Sequence, residues 1–206
     1  MNRATLRAMN GATLTMRKLL LAAPLLALSL GGCVSFGAKP PPTLFNLTPD
    51  HPAAAGATSS GTYANAIVVL EPTADQRLDV LRVPVQVDPS SVAYLQKALW
   101  VARPARLFQH LIAETLRGRG TRLVVEADPG MGGLRLSGHL IDMGYDKATS
   151  SAVVRFDAVK EGPGGRVETK RFESTVSGIE AKPEVVGPAL NQAANTVAGQ
   201  VADWVG

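Results

Sequence analysis

The sequence predicts an α+β fold, in which a mostly antiparallel sheet carries two amphipathic helices packed on one face. Two segments, residues 104–117 and 183–204, space their apolar residues as a helix does, and three segments between them alternate as strands do. Taken in order, the elements are strands, a helix, a strand, three meandering strands and a helix. This order favours a two-layer domain with both helices on the same side of the sheet.

The N-terminal part of this domain is predicted to be strands and loops. A loop is expected at residues 50–62, which are rich in Ala, Gly, Ser, Thr and Pro. Pro84 lies inside one strand-like segment and restricts that segment to an edge or a bulge. The strand predictions are residues 43–47 (an edge strand), 66–70 (a buried strand), 77–87 and 91–96.

The first helix is predicted to begin at Pro104, since the missing N–H of proline costs nothing in a first turn. Gly118 and Gly120 provide its stop. Trp100 precedes it and is expected to pack over its start, and residues 122–127 read as a strand. The apolar side of the helix consists of Leu107, Phe108, Leu111, Ile112 and Leu116.

Hairpins are predicted for residues 134–145, 151–160 and 166–176. Residues 162–165, Gly-Pro-Gly-Gly, form a strong turn signal between the last two strands. In the middle strand, Ala152, Val154, Phe156 and Ala158 share one face, while Ser151, Arg155 and Asp157 share the other. This alternation predicts an antiparallel sheet with one wet face.

The final helix is predicted to begin at Pro183. Its apolar side consists of Val186, Leu190, Ala193, Val197, Val201 and Trp204. Its polar side, which we expect to face away from the sheet, consists of Asn191, Asn195, Gln200 and Asp203.

An N-terminal leader precedes this domain. Arg17-Lys18 and the apolar residues 19–30 have the pattern of a secretory signal, too short to span a bilayer, which takes about 20 residues. Leu30-Gly31-Gly32-Cys33 resembles a bacterial lipobox, which implies cleavage before Cys33 and acylation of its thiol and new amino group, with fatty acids such as palmitate. The alternative is a buried cysteine near a conventional cleavage site. The sequence thus divides into a lipoprotein signal peptide (1–32), an acylated cysteine with a Pro-rich tether (33–42) and one domain (43–206).

The length and charge of the leader lead to two further expectations. Because residues 1–15 make an unusually long preamble, we expect the natural start at Met16, with Met9 as the alternative. Four of the 21 basic residues and no acidic ones precede Cys33, so the processed chain has 17 of each charge. The apparent basic character is thereby lost, and with it the charge argument for nucleic-acid binding.

A search for catalytic or metal-binding patterns is negative. His51, His110 and His139 have no zinc-ligand spacing, and no Gly-x-Ser-x-Gly elbow occurs. His139 with Asp142 is better interpreted as ordinary sheet-face chemistry than as part of a triad, and Glu114 and Glu126 have no visible partner for paired-carboxylate catalysis. The glycines at 130, 132 and 133 precede a strand, so they do not predict a phosphate site. We therefore expect no catalytic residue, no metal and no cofactor.

Several features after the lipobox resemble one family when taken in order. They are the strand at Thr43-Leu44, Leu81-Arg82-Val83-Pro84, Asp88, Ala93-Tyr94-Leu95, Trp100, Pro104, Leu107-Phe108, the helix at residues 111–116 and the closing alanine-rich helix. This arrangement is similar to the ABC-type transport auxiliary lipoprotein components, also called PqiC-like. The resemblance implies a non-enzymatic lipoprotein that docks an MCE-domain protein and its ABC permease and ATPase, which move lipids between the inner and outer membranes.

The resemblance also implies a location. Val34 stands where an Asp would favour inner-membrane retention, so we expect lipid anchoring in the outer membrane, facing the periplasm. Two other functions stay open: a lipid-binding module that accepts the cargo, and a structural envelope lipoprotein. An envelope hydrolase lacks a nucleophile constellation. Homo-oligomerisation into a ring would suit a tubular partner.

Overall fold

Eight strands form one sheet, and two helices cover it, in the part of the chain that the computed structural model describes: residues 43–120, 122–128, 130 and 133–206. The predicted signal peptide (1–32), with Leu30, Gly31 and Gly32 of the lipobox, and the tether with Cys33 (33–42) lie outside these residues. The helices are α1 (Pro104–Arg119) and α2 (Pro183–Val205). The strands are β1 (Ile67–Val69), β2 (Thr73–Ala74), β3 (Arg82–Asp88), β4 (Ser91–Leu99), β5 (Val124–Val125), β6 (Leu134–Asp146), β7 (Ser151–Glu161) and β8 (Val167–Ser177).

Strand β6 organises the sheet because it pairs with four other strands. It pairs antiparallel with β7, which pairs antiparallel with β8, and it pairs in parallel with β1, β2 and β3. β3 pairs antiparallel with β4, which forms one edge of the sheet, whereas β8 forms the opposite edge. The α+β class and the long hairpins are confirmed, since residue-level alternation and turn signals are local properties of the sequence.

Both helices lie on the same face of the sheet. Phe108 of α1 packs edge-to-face on Phe156 of β7, with 5.2 Å between ring centroids. Trp204 of α2 packs on Phe172 of β8 at 5.7 Å. Phe156 and Phe172 are directly opposed in the β7–β8 pairing, so their side chains share a face. Ala152, Val154, Phe156 and Ala158 are all buried there, as their alternation predicts.

Several predicted strands differ in extent. Residues 43–47 contribute only one parallel bridge, Phe45 with Trp100, and residues 122–127 shorten to β5. β4 is longer than predicted and reaches Leu99. The strand predicted at residues 77–87 begins only at Arg82, and it lies between β4 and β6 rather than at an edge. The other alternative, a bulge, is what the structure has, since the β3–β4 register shifts beside Pro84 and allows a proline in this interior position.

Asn195, predicted to lie on the polar side of the last helix, does not face solvent. It is buried, with 9% of its surface exposed. Its Oδ1 accepts a hydrogen bond from the Asp50 N–H at 2.8 Å, and its Nδ2 donates to the Thr48 carbonyl at 2.9 Å. The Thr48 N–H donates in turn to Asn191 Oδ1 at 2.8 Å. The chain before β1 therefore covers this side of α2. The side-chain amides of Asn191 and Asn195 satisfy backbone groups of that covering segment, which no strand pairs with there.

Candidate functional site

The three histidines lie in separate places. His51 follows the segment that covers α2, His110 is on α1, and His139 is on β6. Within the described residues, no group of three or more His, Cys, Asp and Glu side chains is arranged to hold a metal ion. Also within this part of the chain, no helix is long and apolar enough to cross a membrane.

His139 contacts two residues that the sequence did not single out. Its Nδ1 is 2.9 Å from Thr73 Oγ1, and its Nε2 is 3.1 Å from Asp75 Oδ1. Asp142, considered with it from sequence, instead pairs with Arg77 and Arg155. The order of groups, a hydroxyl, an imidazole and a carboxylate, is the order found in a catalytic triad. In a triad, however, the carboxylate is buried so that it can orient the imidazole ring. Asp75 is 54% exposed, so the arrangement has the character of surface polar pairing.

Glu114 and Glu126, for which the sequence offered no partner, meet at one guanidinium. Arg117 Nη1 lies 2.7 Å from Glu114 Oε1 and 2.6 Å from Glu126 Oε1. Partial burial raises the pKa of Glu126, but its hydrogen bonds with Arg117 and His110 outweigh this and lower that pKa below its ordinary value. A carboxyl group held in its ionised form is a poor general acid at neutral pH. The cluster joins α1 to the β5 region.

The turn between β3 and β4 satisfies its own polar groups. Asp88 Oδ1 accepts hydrogen bonds from the Ser90 N–H and the Ser90 hydroxyl, both at 2.9 Å. The Ser90 N–H is the main cause that lowers the pKa of Asp88. A carboxylate that accepts hydrogen bonds from a residue two positions later is typical of an Asx turn, so this segment is an ordinary exposed turn.

The principal candidate site is a groove of about 870 Å³ beside edge strand β4. Its walls are the N-terminal segment at residues 43–46, β4 at residues 93–97 and the first turns of α2. Its volume falls within the range of small-molecule sites, roughly 300–1,000 Å³. We call it the β4 groove.

The groove has an aromatic wall held in place by close packing. Phe45 packs edge-to-face on buried Trp100, with 5.6 Å between ring centroids. Its backbone N–H donates to the Leu99 carbonyl at 2.7 Å, and its carbonyl accepts from the Val101 N–H at 2.9 Å. Gly187 of α2 allows the ring to approach, because a Cβ there would lie 2.9 Å from Phe45 Cε1. A larger residue at position 187 would push α2 away from this ring.

Polar and charged groups lie along the opening of the groove. Glu184 is in the first turn of α2, and Lys97 lies on β4 in the left-handed backbone region, with φ of 59°. A left-handed Lys in a strand is uncommon and marks the irregularity in the β3–β4 register. The site thus combines apolar walls with one charge of each sign at its rim.

Sequence reasoning missed the β4 groove because its walls are distant along the chain. Phe45, Leu95 and Gly187 belong to three separate segments. Only the bridge at Phe45 and the packing of α2 bring them together. The one signal available was the conjunction of an aromatic after the tether with a glycine early in an alanine-rich helix.

Comparison with family models identifies one family, and comparison with solved structures finds the same fold. The family model described as ABC-type transport auxiliary lipoprotein component matches residues 45–202. A crystal structure from Xanthomonas campestris, assigned to the DUF330 family, is similar with a TM-score of 0.67 and 17% identity, covering 79% of this chain and 93% of that one.

A second crystal structure, of an uncharacterized protein, has a TM-score of 0.62 and 11% identity and covers 72% of this chain and 97% of that one. No curated protein matches the sequence significantly. At these identities the two structures support the fold alone, and the family model supports the family.

Proposed function

Since the chain belongs to the family of ABC-type transport auxiliary lipoprotein components, we propose that it is a non-enzymatic docking lipoprotein of an MCE-type ABC transporter. In this role it is anchored in the outer membrane, faces the periplasm and helps to move lipids between the two membranes. The observation that carries the proposal is the family match over residues 45–202, which spans nearly the whole described domain.

The polar clusters of the domain support a non-enzymatic role. Arg117 holds the carboxylates of Glu114 and Glu126, and Asp142 lies between Arg77 and Arg155. Catalytic carboxylates and bases need pKa values near the working pH and access to a substrate. Carboxylates neutralised by arginines instead serve structure, so a binding role is the better interpretation.

The anchor rests on the sequence around Cys33. Several acyl chains on one residue hold a protein stably, whereas a single chain binds only marginally. Val34 is compatible with export to the outer membrane, since it replaces the Asp associated with retention. We propose that Cys33 is the point of attachment and that the tether keeps the domain near the membrane.

The first experiment tests docking and anchoring together. Tagged wild-type protein is purified from native membranes, and co-purifying proteins are identified, with recovery of an MCE-domain protein as the expected result.

Cys33→Ser should release a folded domain from the membrane and fail to restore barrier function in a deletion strain. Val34→Asp is the matched control, since it keeps the acylated cysteine but should move the protein to the inner membrane. Full function of Cys33→Ser would refute the tether.

The β4 groove favours a second candidate function, a lipid-binding module that accepts the cargo itself. Its apolar walls and its volume of about 870 Å³ suit an acyl chain. Lipid that co-purifies with protein lacking its own acyl chains would be detected by mass spectrometry. Ala181→Trp adds bulk to an exposed position on the groove wall and should abolish the signal. Ala54→Trp, at an exposed position in the loop before β1, is the control and should keep it.

A further inference from the structure

An apolar stripe runs along the solvent face of the β3–β4 edge, opposite the helices. The cross-strand pairs Arg82–Leu99, Pro84–Tyr94 and Gln86–Val92 place these side chains on one face. Phe45 and Trp100 point into the core, so their neighbours Leu44 and Val101 point outward. We define the outer stripe as Leu44, Val92, Tyr94, Leu99 and Val101.

The stripe collects much of the exposed apolar surface of the described residues. Leu44 is 52% exposed, Val101 50% and Val92 41%. Leu81, whose carbonyl accepts from the Trp100 N–H, is 44% exposed beside them. The stripe thus supplies three of the seven large hydrophobic residues left most exposed among the described residues, and Leu81 beside it is a fourth. Single exposed apolar residues are ordinary, but a cluster on one edge indicates an interaction surface.

Two cations at this edge form no ion pair with any described residue. Arg82 lies over the ring of Tyr94, 4.1 Å from its centroid, and Lys97 is exposed on β4. The nearby Asp79 pairs with Arg103 at 3.3 Å, and Asp88 is satisfied by Ser90 in the turn. The stripe therefore presents aliphatic groups and a tyrosine, with two cations beside them that pair with no described acidic residue. This combination is typical of a surface that contacts anionic lipid headgroups.

The start of the described chain lies beside the stripe. Leu44 belongs to the stripe, and Thr43 comes ten positions after Cys33. Ten extended residues reach at most about 35 Å, so an acyl anchor at Cys33 would confine this edge near the bilayer. The step rests on the anchoring proposed above. Confinement raises the effective concentration of membrane at this edge, so even weak contacts are populated.

We propose that the outer stripe is a second membrane contact, through which the domain lies against the lipid headgroup layer that holds its anchor. Leu44, Val92 and Val101 enter the boundary between headgroups and acyl chains, and Tyr94 lies at headgroup level. Arg82 and Lys97 contact lipid phosphates. The contact orients the domain, so that β4 is next to the membrane and β8 is directed away from it.

Site-directed labelling tests this orientation in the processed, acylated protein. If Cys33 is acylated, a new cysteine becomes the only free thiol of the processed chain. Leu44→Cys, Val92→Cys and Val101→Cys are each labelled with an environment-sensitive fluorophore. The protein is then reconstituted in vesicles of phosphatidylethanolamine and phosphatidylglycerol. Val167→Cys is the matched control, because Val167 is 57% exposed at the start of β8 on the opposite edge.

The stripe labels should be quenched by spin-labelled lipid and be severalfold less accessible to iodide than the label at Val167. Arg82→Gln with Lys97→Gln should raise iodide access severalfold on these vesicles and leave it unchanged on phosphatidylcholine. Equal iodide access at all four positions would overturn the proposal. So would burial of the stripe labels that depends on protein concentration, since that indicates contact between copies. Thiol labelling of the wild-type chain would instead contradict the proposed anchor, so the two failures are distinguishable.

Discussion

The two ends of the sheet's solvent face differ sharply in chemistry. Over β6, β7 and β8 it is covered by ion pairs: Arg155 Nη1 lies 2.6 Å from Asp142 Oδ2, and Arg155 Nε lies 2.6 Å from Glu173 Oε2. Arg171 binds Asp157 through two nitrogens, at 2.6 and 2.7 Å. We call this the ion-paired face. Over β3 and β4, the outer stripe shows apolar side chains and cations without described acidic partners.

This difference separates surface that supports the fold from surface available to a partner. On the ion-paired face, the hydrogen bond from Arg171 lowers the pKa of Asp157, and the hydrogen bond to Glu173 raises the pKa of Arg155. These charges are satisfied internally and gain little from an added partner. The outer stripe leaves apolar area in water, at a cost of about 25 cal/mol per Å² that a partner could recover. Substitutions in the two regions test this contrast.

The largest effect is expected where the two regions join, at Gly144 of β6. A Cβ there would lie 2.5 Å from the Pro84 carbonyl oxygen and 2.9 Å from Pro84 Cγ. Gly144→Ala should therefore separate β3 from β6 and lower the free energy of unfolding by about 1–3 kcal/mol in urea denaturation. Gly199→Ala on α2, where a Cβ meets nothing within 4 Å, is the control and should be neutral or slightly stabilising. Similar behaviour of the two variants would show that the junction is not tightly packed.

The second prediction concerns Asp142, the carboxylate that joins two arginines. Asp142→Ala removes the only carboxylate that pairs with Arg77 among the described residues and one of the two that pair with Arg155, and these arginine side chains are only 24% and 32% exposed. We expect a loss of about 1–2 kcal/mol in the free energy of unfolding, because two partly buried guanidinium groups each lose a charged acceptor. Asp203→Ala, which breaks the more exposed pair with Arg119, should cost under about 0.5 kcal/mol. Equal costs would mean that the ion-paired face contributes little to the fold.

The elements that sequence predicted well are those set by local patterns. The prolines that begin both helices predict where α1 and α2 start. The alternation around Phe156 and the Gly-Pro-Gly-Gly turn predict the β7–β8 hairpin. Contacts between distant residues were not visible. The bridge of Phe45 with Trp100, the burial of Asn195 and the parallel pairing of β1 each join segments far apart in the chain.

The same reason limits prediction of the candidate site. The β4 groove and the outer stripe are products of the β3–β4 register and of the segment that leads to Phe45. A sequence shows that Val92 and Val101 are apolar but not that they share an exposed face. Cys33 is the opposite case, since a four-residue motif alone predicts its role, which stays a prediction.

The third prediction separates stability from membrane contact. Leu44→Ser and Val101→Ser replace side chains that are about half exposed, so the free energy of unfolding should change by under about 0.5 kcal/mol. Membrane contact of the outer stripe should weaken despite the intact fold, which vesicle reconstitution measures. Val167→Ser, at a similarly exposed position, should be neutral in both assays. A large loss of stability in either stripe variant would assign Leu44 or Val101 to the fold rather than to a partner.

The smallest effect is expected at an exposed pair on the ion-paired side of β6. Arg135 donates two hydrogen bonds to Asp128, and these lower the pKa of Asp128 to about 2 from its ordinary 3.8. Because the folded state favours the charged form, the pair stabilises the protein above pH 3.8, and this contribution is lost as the pH falls toward 2. Arg135→Gln should return the pKa of Asp128 toward 3.8, as followed by NMR of its carboxyl carbon. The variant should then lose less stability than wild type between pH 4 and pH 2. An unchanged titration would show that Arg135 is solvated and that ion pairing does not extend to this end of β6.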